Sequence, residues 1–317
     1  MKKLFAINSL AFMLLTAAPA AMAQDILAVK PADPAIEGRW DITVMVDGKE
    51  YPSWLEVTHS GRKRLIGHFV GMSGSARPIS QVFFNDGKLR FSLPPQWEEQ
   101  DNDFVFEGSL TDGKLHGSMI APDGRKHNWT AQRAPSLRSA AAPSWGKPVK
   151  LFNGVNLDGW QAMGENQWVV EGGVLKSPKS GANLVSVQKF NDFKLHIEFR
   201  CPKGSNSGVY LRGRYEVQIE DSKGKEPQKD LLGAVYGFIS PSEMPAKDAG
   251  EWQTYDITLV GRMVTIVLNG KQVVCNQEIP GITGGALDSR EGEPGPILFQ
   301  GDHGPIEFRN IVITPAK

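Results

Sequence analysis

Cysteine is nearly absent from this chain. Cys201 and Cys275 are the only two in 317 residues, and with no Cys-x-x-Cys spacing they cannot build a structural zinc site by themselves. In an oxidising compartment the two could pair, whereas a buried free thiol in a strand-like run is equally ordinary, so both alternatives stand. Histidine is sparse as well, at six residues. His59, His68, His116 and His127 have no close, metal-like spacing and, with Trp54 and Trp97, read as packing or surface residues without assigned chemistry. Charge of one sign is not in excess, since 35 basic residues balance 35 acidic ones. That balance removes the electrostatic basis for nucleic acid or an anionic membrane as a partner. Past the first 23 residues no run is apolar for long enough to span a bilayer, and no long amphipathic helix competes with the strand patterns.

What is present divides the chain. Met1 to Ala23 carries two lysines, an apolar run from Leu4 to Ala20 and Ala21-Met22-Ala23 before Gln24, the layout of a cleavable signal peptide. Export to the periplasm or the exterior is therefore expected, with no membrane span after cleavage. Residues 24–35 form a short lead. Residues 36–133 read as about eight short strand runs, several separated by Asp-Gly pairs at Asp47, Asp86, Asp112 and Asp123, the composition of tight hairpins. Closure of such a meander removes exposed edges, which predicts a small antiparallel β-barrel. Residues 134–147, rich in Ala, Ser and Pro, read as a linker. Residues 148–317 return to strand after strand, with Asn269-Gly270 as another hairpin, and predict two antiparallel sheets packed face to face. The fold class is all-β throughout.

The second domain centres on Gly204 to Asp221. Gly204-Ser205-Asn206-Ser207-Gly208 has turn composition, and alternation follows. Read as one strand from Val209 to Glu220, it places Arg212, Arg214, Glu216, Gln218 and Glu220 on one face. Val209, Leu211, Tyr215, Val217 and Ile219 then face a core. Such a polar row suits a polyhydroxylated ligand, through paired donors and acceptors. Asp221 to Gly250 is a long loop leaving this strand, placed to wall a cleft. A second polar turn, Gln300-Gly301-Asp302-His303-Gly304, lies near the end of the chain.

From about Lys147 onward an ordered series of short motifs is recognisable. It runs from Leu151-Phe152-Asn153-Gly154, Gly159-Trp160 and Trp168 to Phe193–Phe199. It continues through Asn206-Ser207-Gly208, Arg212, Glu216-Val217-Gln218-Ile219 with Asp221, and Gly233 with Tyr236. Glu251-Trp252, Tyr255-Asp256, Leu268-Asn269-Gly270, Gln300, His303 and Glu307-Phe308-Arg309-Asn310 complete it. In these pieces the C-terminal half resembles the 3-keto-disaccharide hydrolase domain family, which implies a concanavalin-like jelly-roll β-sandwich holding sugar-sized ligands on a concave sheet. Gly38-x-Trp40 together with Trp129 and Arg133 makes the first domain similar to small lipocalin-like barrels.

The resemblance implies a substrate with a ketone at C3 of a sugar ring. That ketone acidifies the C2 hydrogen, so base removal gives an enolate, the group on C1 leaves, and water completes a net hydrolysis. Catalytic candidates are Glu216 or His303 as base, Arg212 as oxyanion partner and Asp221 assisting proton transfer. Asn206, Gln218, Tyr236 and Gln300 are candidates for holding hydroxyls. A divalent cation serving as enolate clamp is the cofactor alternative, and an oxidoreductase that makes the ketone is an expected partner. Two other classes remain open: a non-catalytic carbohydrate-binding module, and a conventional glycoside hydrolase acting on unoxidised glycosides through two carboxylates. For the latter, Glu216 and Glu220 stand about 13 Å apart on a strand, too far for either usual geometry, whereas Glu216 with Glu307 or Asp221 stays open.

Overall fold

The computed structural model describes residues 33–138 and 141–317, so the expected signal at 1–23 lies outside the described residues. After a single 3-10 turn at Pro34–Ile36, eight strands form the first domain. They are β1 Gly38–Val46, β2 Lys49–Ser60, β3 Arg64–Val70, β4 Arg77–Asn85, β5 Lys88–Leu93, β6 Phe104–Thr111, β7 Lys114–Ile120 and β8 Lys126–Arg133. Each pairs antiparallel with the next and β8 returns to β1, closing the barrel. Three of the Asp-Gly pairs have both residues at positive φ, as the tightest hairpins demand: Asp47-Gly48, Asp86-Gly87 and Asp112-Gly113. Asp123 does not; its carboxylate instead accepts the backbone N–H of Arg125 in a wider turn. Trp40, Phe69, Phe91, Phe106 and Trp129 fill the interior, and the Arg133 guanidinium lies 3.8 Å from the Trp40 ring centroid at one end.

The second domain contains β9 Val149–Lys150, β10 Trp160–Ala162, β11 Val169–Glu171, β12 Val174–Ser177, β13 Leu184–Phe190, β14 Phe193–Arg200 and β15 Asn206–Leu211. It continues with β16 Tyr215–Glu220, β17 Gln253–Val260, β18 Met263–Leu268, β19 Lys271–Glu278, β20 Gly295–Phe299 and β21 Ile306–Pro315. Two sheets result, one of five strands in the order β10-β13-β20-β15-β16, the other of eight, β11-β12-β21-β14-β17-β18-β19 with β9 beside β21. Alternate residues of both sheets meet in one core, where Phe299 and Phe308 stack across the gap at 4.1 Å between centroids. The end of the expected linker is already part of this domain. Gly146 donates to the Pro315 carbonyl at 2.7 Å, and Lys317 donates to that of Ser144 at 2.9 Å.

The stretch from Val209 to Glu220 is not one strand. Arg212, Gly213 and Arg214 form a three-residue turn, and β15 and β16 run antiparallel with Tyr210 opposite Glu216, Gly208 opposite Gln218 and Asn206 opposite Glu220. Val209, Leu211, Val217 and Ile219 point into the sandwich core, which leaves the opposite face of the five-stranded sheet to Asn206, Tyr210, Glu216 and Gln218. The free edge of β16 is covered by the long loop, because Gln218 donates to Ala234 and Tyr236 donates to Glu216, each through backbone atoms at 3.0 Å.

The barrel docks over that same side of the sandwich. Trp54 and Val70, although carried by barrel strands, belong to the sandwich core, and the Trp54 ring meets Phe238 edge-on at 5.4 Å. The β3–β4 loop is wedged in, with Gly285 donating to the Met72 carbonyl at 3.0 Å. A Cβ at Gly237 would stand 2.7 Å from the Cβ of Ser75, and one at Gly284 would stand 2.2 Å from the Gly74 carbonyl oxygen, so both glycines permit the close approach. Polar contacts at the seam include Arg39 to Glu278 at 2.7 Å and Thr43 to Ser289 at 3.0 Å.

The two cysteines are unpaired, Cys201 buried and Cys275 exposed. Burial pushes the Cys201 thiol up to about 11, so it is a poor nucleophile as well as an inaccessible one. A maleimide counted by intact mass should therefore add once to native protein, at Cys275, and twice after denaturation. Two additions to the native protein would contradict this arrangement.

Candidate functional site

On the outer face of the five-stranded sheet a cleft of about 460 Å³ is enclosed between the sandwich and the barrel. The β15–β16 hairpin makes its floor, the long loop brings Tyr236 to one side, and the β20–β21 turn brings Gln300, Asp302 and His303 to another. Six of the residues singled out from sequence converge here: Asn206, Glu216, Gln218, Tyr236, Gln300 and His303.

Glu216 is 4 % exposed. Its carboxylate lies over the neighbouring strand, where a Cβ at Gly208 would stand 2.3 Å from Oε1, so a side chain at this position on β15 would displace the carboxylate from its place. Burial pushes the Glu216 carboxyl up to about 8, against the pull of the Tyr210 hydroxyl and the His303 ring. Tyr210 Oη is 2.9 Å from Glu216 Oε2 and 3.0 Å from the Gly284 carbonyl oxygen. A phenol has one proton to donate. When Glu216 is ionised that proton serves the carboxylate; when Glu216 is protonated it serves the carbonyl, and the phenol oxygen accepts from the acid. Both charge states of Glu216 are thereby satisfied, as a group that takes and returns a proton requires. Burial, and then Glu216 itself, hold the Tyr210 phenol well above its ordinary range, so it remains a donor.

His303 stands at the rim, its Nδ1 2.6 Å from Asp302 Oδ1. The hydrogen bond to Asp302 raises the imidazole above its usual value, with Glu216 adding to the effect. Two buried amide oxygens, Gln218 Oε1 and Gln300 Oε1, have no hydrogen-bond partner in the protein. Buried acceptors are rarely left so, and here both belong to residues lining the cleft.

Arg212 is not in the cleft. It occupies the hairpin turn with φ +53, and its guanidinium turns away to the Tyr215 hydroxyl at 2.9 Å and the Gly261 carbonyl at 2.8 Å. The expectation that it faces the ligand assumed a continuous strand, which the chain reversal at 212–214 removes. Arg214 likewise goes elsewhere, to Asp288 at 2.8 Å. Asp221 also lies outside the cleft and accepts the Gly204 N–H at 3.2 Å. Glu307 belongs to the eight-stranded sheet and pairs with Arg200, so neither Asp221 nor Glu307 joins Glu216 as a second carboxylate. Asp302 is the other acidic residue of the cleft. Among the described residues no three His, Cys, Asp or Glu side chains converge to hold a metal ion.

Several lining residues were not picked out from sequence. Tyr210 shares the odd–even phase of Glu216, so strand parity alone would have placed it on the polar face. Gly284 and Gly285 carry no signal of this kind. Ser73, Gly74 and Trp97 come from the barrel, to which the sequence assigned no chemistry.

Comparison with known proteins agrees with the second domain. A curated 3-keto-disaccharide hydrolase of Bacteroides thetaiotaomicron is 27 % identical over 162 residues, covering 42 % of this chain and 53 % of that protein. This chain thus spans about half the length of that relative. Two solved structures, both provisionally assigned glycosyl hydrolases of Parabacteroides distasonis, align with TM-score 0.45. One is 28 % identical, covering 56 % of this chain and 92 % of the other; the second is 18 % identical, covering 54 % and 94 %. Residues 147–314, more than half of the chain, match the family described as the 3-keto-alpha-glucoside-1,2-lyase-like domain. With its jelly-roll sandwich and the ordered motifs from Leu151 to Asn310, the chain belongs to that family.

Proposed function

We propose that this protein cleaves 3-keto-glycosides by removing the C2 proton and eliminating the group on C1. The observation that carries the reading is Glu216: a buried carboxyl held near pH 8, backed by a phenol that accommodates both of its charge states. Around it stand unpartnered amide acceptors suited to sugar hydroxyls. A base must have affinity for a proton comparable with the working pH, and burial supplies that here.

In the reaction Glu216 takes the proton from C2, and the electron pair left behind forms the C2–C3 double bond of an enolate with charge on the C3 oxygen. The neighbouring C1–O bond then breaks as the ketone re-forms and C1–C2 becomes double, and the departing oxygen receives a proton. Water adding across C1–C2 completes the hydrolysis. With Arg212 turned away, the imidazole of His303 is the basic side chain that lines the cleft, and as a hydrogen-bond donor it is placed to hold the enolate oxygen or protonate the leaving group. A ketone at C3 arises by oxidation, so an oxidoreductase acts before this step. The signal read in residues 1–23 supports a site of action outside the cytoplasm.

The purified protein, given an intact disaccharide and its C3-oxidised counterpart in deuterated water, tests the reading. Release of sugar from the oxidised form alone, with deuterium entering at C2, is expected. Cleavage of the intact form would assign ordinary glycoside hydrolysis instead, and binding without turnover would assign a carbohydrate-binding module. The same assay across pH gives a further check. Because Glu216 must be ionised to act, kcat/KM should fall tenfold per pH unit below about pH 8. A rising limb at the usual carboxylate pH, with no inflection near 8, would remove Glu216 as the base.

A further inference from the structure

The barrel reaches the cleft with an aromatic side chain that the reaction as written does not use. Trp97 lies between β5 and β6, is 69 % exposed, and lines the same cleft as Glu216. An indole so placed gives up the burial that normally holds tryptophan in a fold. The backbone that carries it is nonetheless anchored. The backbone N–H groups of Gln96 and Trp97 both donate to Glu98 Oε2, at 2.8 and 3.1 Å. The Gln96 amide then clasps Ser75, accepting from its backbone N–H at 3.2 Å and donating to its hydroxyl at 2.7 Å. Ser75 sits in the very loop wedged between Gly237 and Gly284 of the sandwich. Trp97 is therefore registered against the catalytic floor through two loops and a tight seam.

We propose that Trp97 is the stacking platform for the second sugar ring of a disaccharide substrate, so that the barrel supplies a binding subsite for the group that leaves from C1. A pyranose ring has one face of C–H bonds and a periphery of hydroxyls, and an indole face matches the former without requiring hydrogen bonds. The buried end of the cleft, with Glu216 and Gln218, takes the oxidised ring. The rim contributed by the barrel takes its neighbour. This assignment rests on the carbohydrate reading above and makes Trp97 a residue of substrate recognition rather than of the bond-breaking step.

The test compares wild type, Trp97→Ala and Trp97→Phe on two substrates: a disaccharide oxidised at C3 of one ring, and a methyl glycoside oxidised at C3, which lacks the second ring. A lost stacking contact is worth about 1 kcal/mol, which corresponds to a five- to tenfold change. Trp97→Ala should raise KM for the disaccharide by that factor with kcat unchanged, leave the methyl glycoside within about twofold, and be largely rescued by Trp97→Phe. The thermal midpoint should not move, since the side chain is exposed. Equal effects on both substrates, or none on either, would overturn the subsite. If wild type turns over neither oxidised sugar, the reaction fails independently, and calorimetric binding of the intact disaccharide against the intact methyl glycoside decides the subsite by the same criteria.

Discussion

Glu216→Gln lowers turnover of a C3-oxidised glycoside by about a hundred- to ten-thousand-fold while the protein stays folded, the range in which loss of a general base is ordinarily felt. The substitution is nearly isosteric. Its amide oxygen still accepts from Tyr210, and its side chain still lies over Gly208. The capacity to take a proton is lost, so a fall in kcat reports chemistry rather than a rearranged floor. A second consequence runs the other way. The folded state holds the Glu216 proton up to about pH 8, whereas an unfolded glutamate releases it near pH 4.3. Between those values the native state binds more protons than the unfolded one, so stability declines as pH rises through that window. Glutamine has no such titration, so between pH 4 and pH 9 the variant should gain on wild type by about 5 kcal/mol. Full activity in the variant would take Glu216 out of the reaction. An unchanged difference in denaturant midpoint between pH 5 and pH 9 would show that its carboxyl is not held as described.

The largest structural loss should follow Glu291→Ala. Glu291 is wholly buried between the two domains, where it takes a two-pronged bond from Arg262, Nε to Oε1 at 3.0 Å and Nη2 to Oε2 at 2.7 Å. Tyr215 donates to it at 2.6 Å and receives in turn a bond from Arg212 at 2.9 Å. Burial alone would raise the Glu291 carboxyl, but the Arg262 bonds hold it below its usual value. Asp41, on β1 of the barrel, is pushed the opposite way by burial and by the Glu291 charge, and stays protonated. Deleting the carboxylate leaves the Arg262 guanidinium in a site only 6 % exposed with its charge uncompensated, which costs about 3–5 kcal/mol. A fall in thermal midpoint on the order of 10 °C is expected for a protein of this size. A loss below about 1 kcal/mol would mean that water reaches the pair and that the seam is looser than described. Arg212, expected from sequence to face the ligand, here serves the buried network of Tyr215, Glu291 and Arg262.

That displacement of Arg212 shows where sequence reading stops. The alternation from Val209 to Glu220 is real, and it sorted Val217 and Ile219 into the core and Glu216 and Gln218 onto the polar face, as found. It could not reveal the reversal at Arg212-Gly213-Arg214. A turn of three residues carries the odd–even phase straight through, because Leu211 and Tyr215 pair directly across it and both point inward. The turn also lacks the Asn-Gly or Asp-Gly signal that marked the others. The same hidden reversal set Tyr210 opposite Glu216, which nothing in a single-strand reading would pair.

Local chemistry was sufficient for the all-β class, the barrel hairpins, the paired sheets and most of the polar residues that line the cleft. These depend on neighbours two to four residues apart, through side-chain alternation and the positive φ that Asp-Gly and Asn-Gly pairs tolerate. The cleft itself is decided by contacts between residues more than a hundred positions apart. Trp97 meets the neighbourhood of Glu216 only because Trp54 plugs into the sandwich and glycines at 237 and 284 admit the β3–β4 loop. Likewise the raised proton affinity of Glu216 comes from its burial, and burial belongs to the assembled fold rather than to any stretch of the chain.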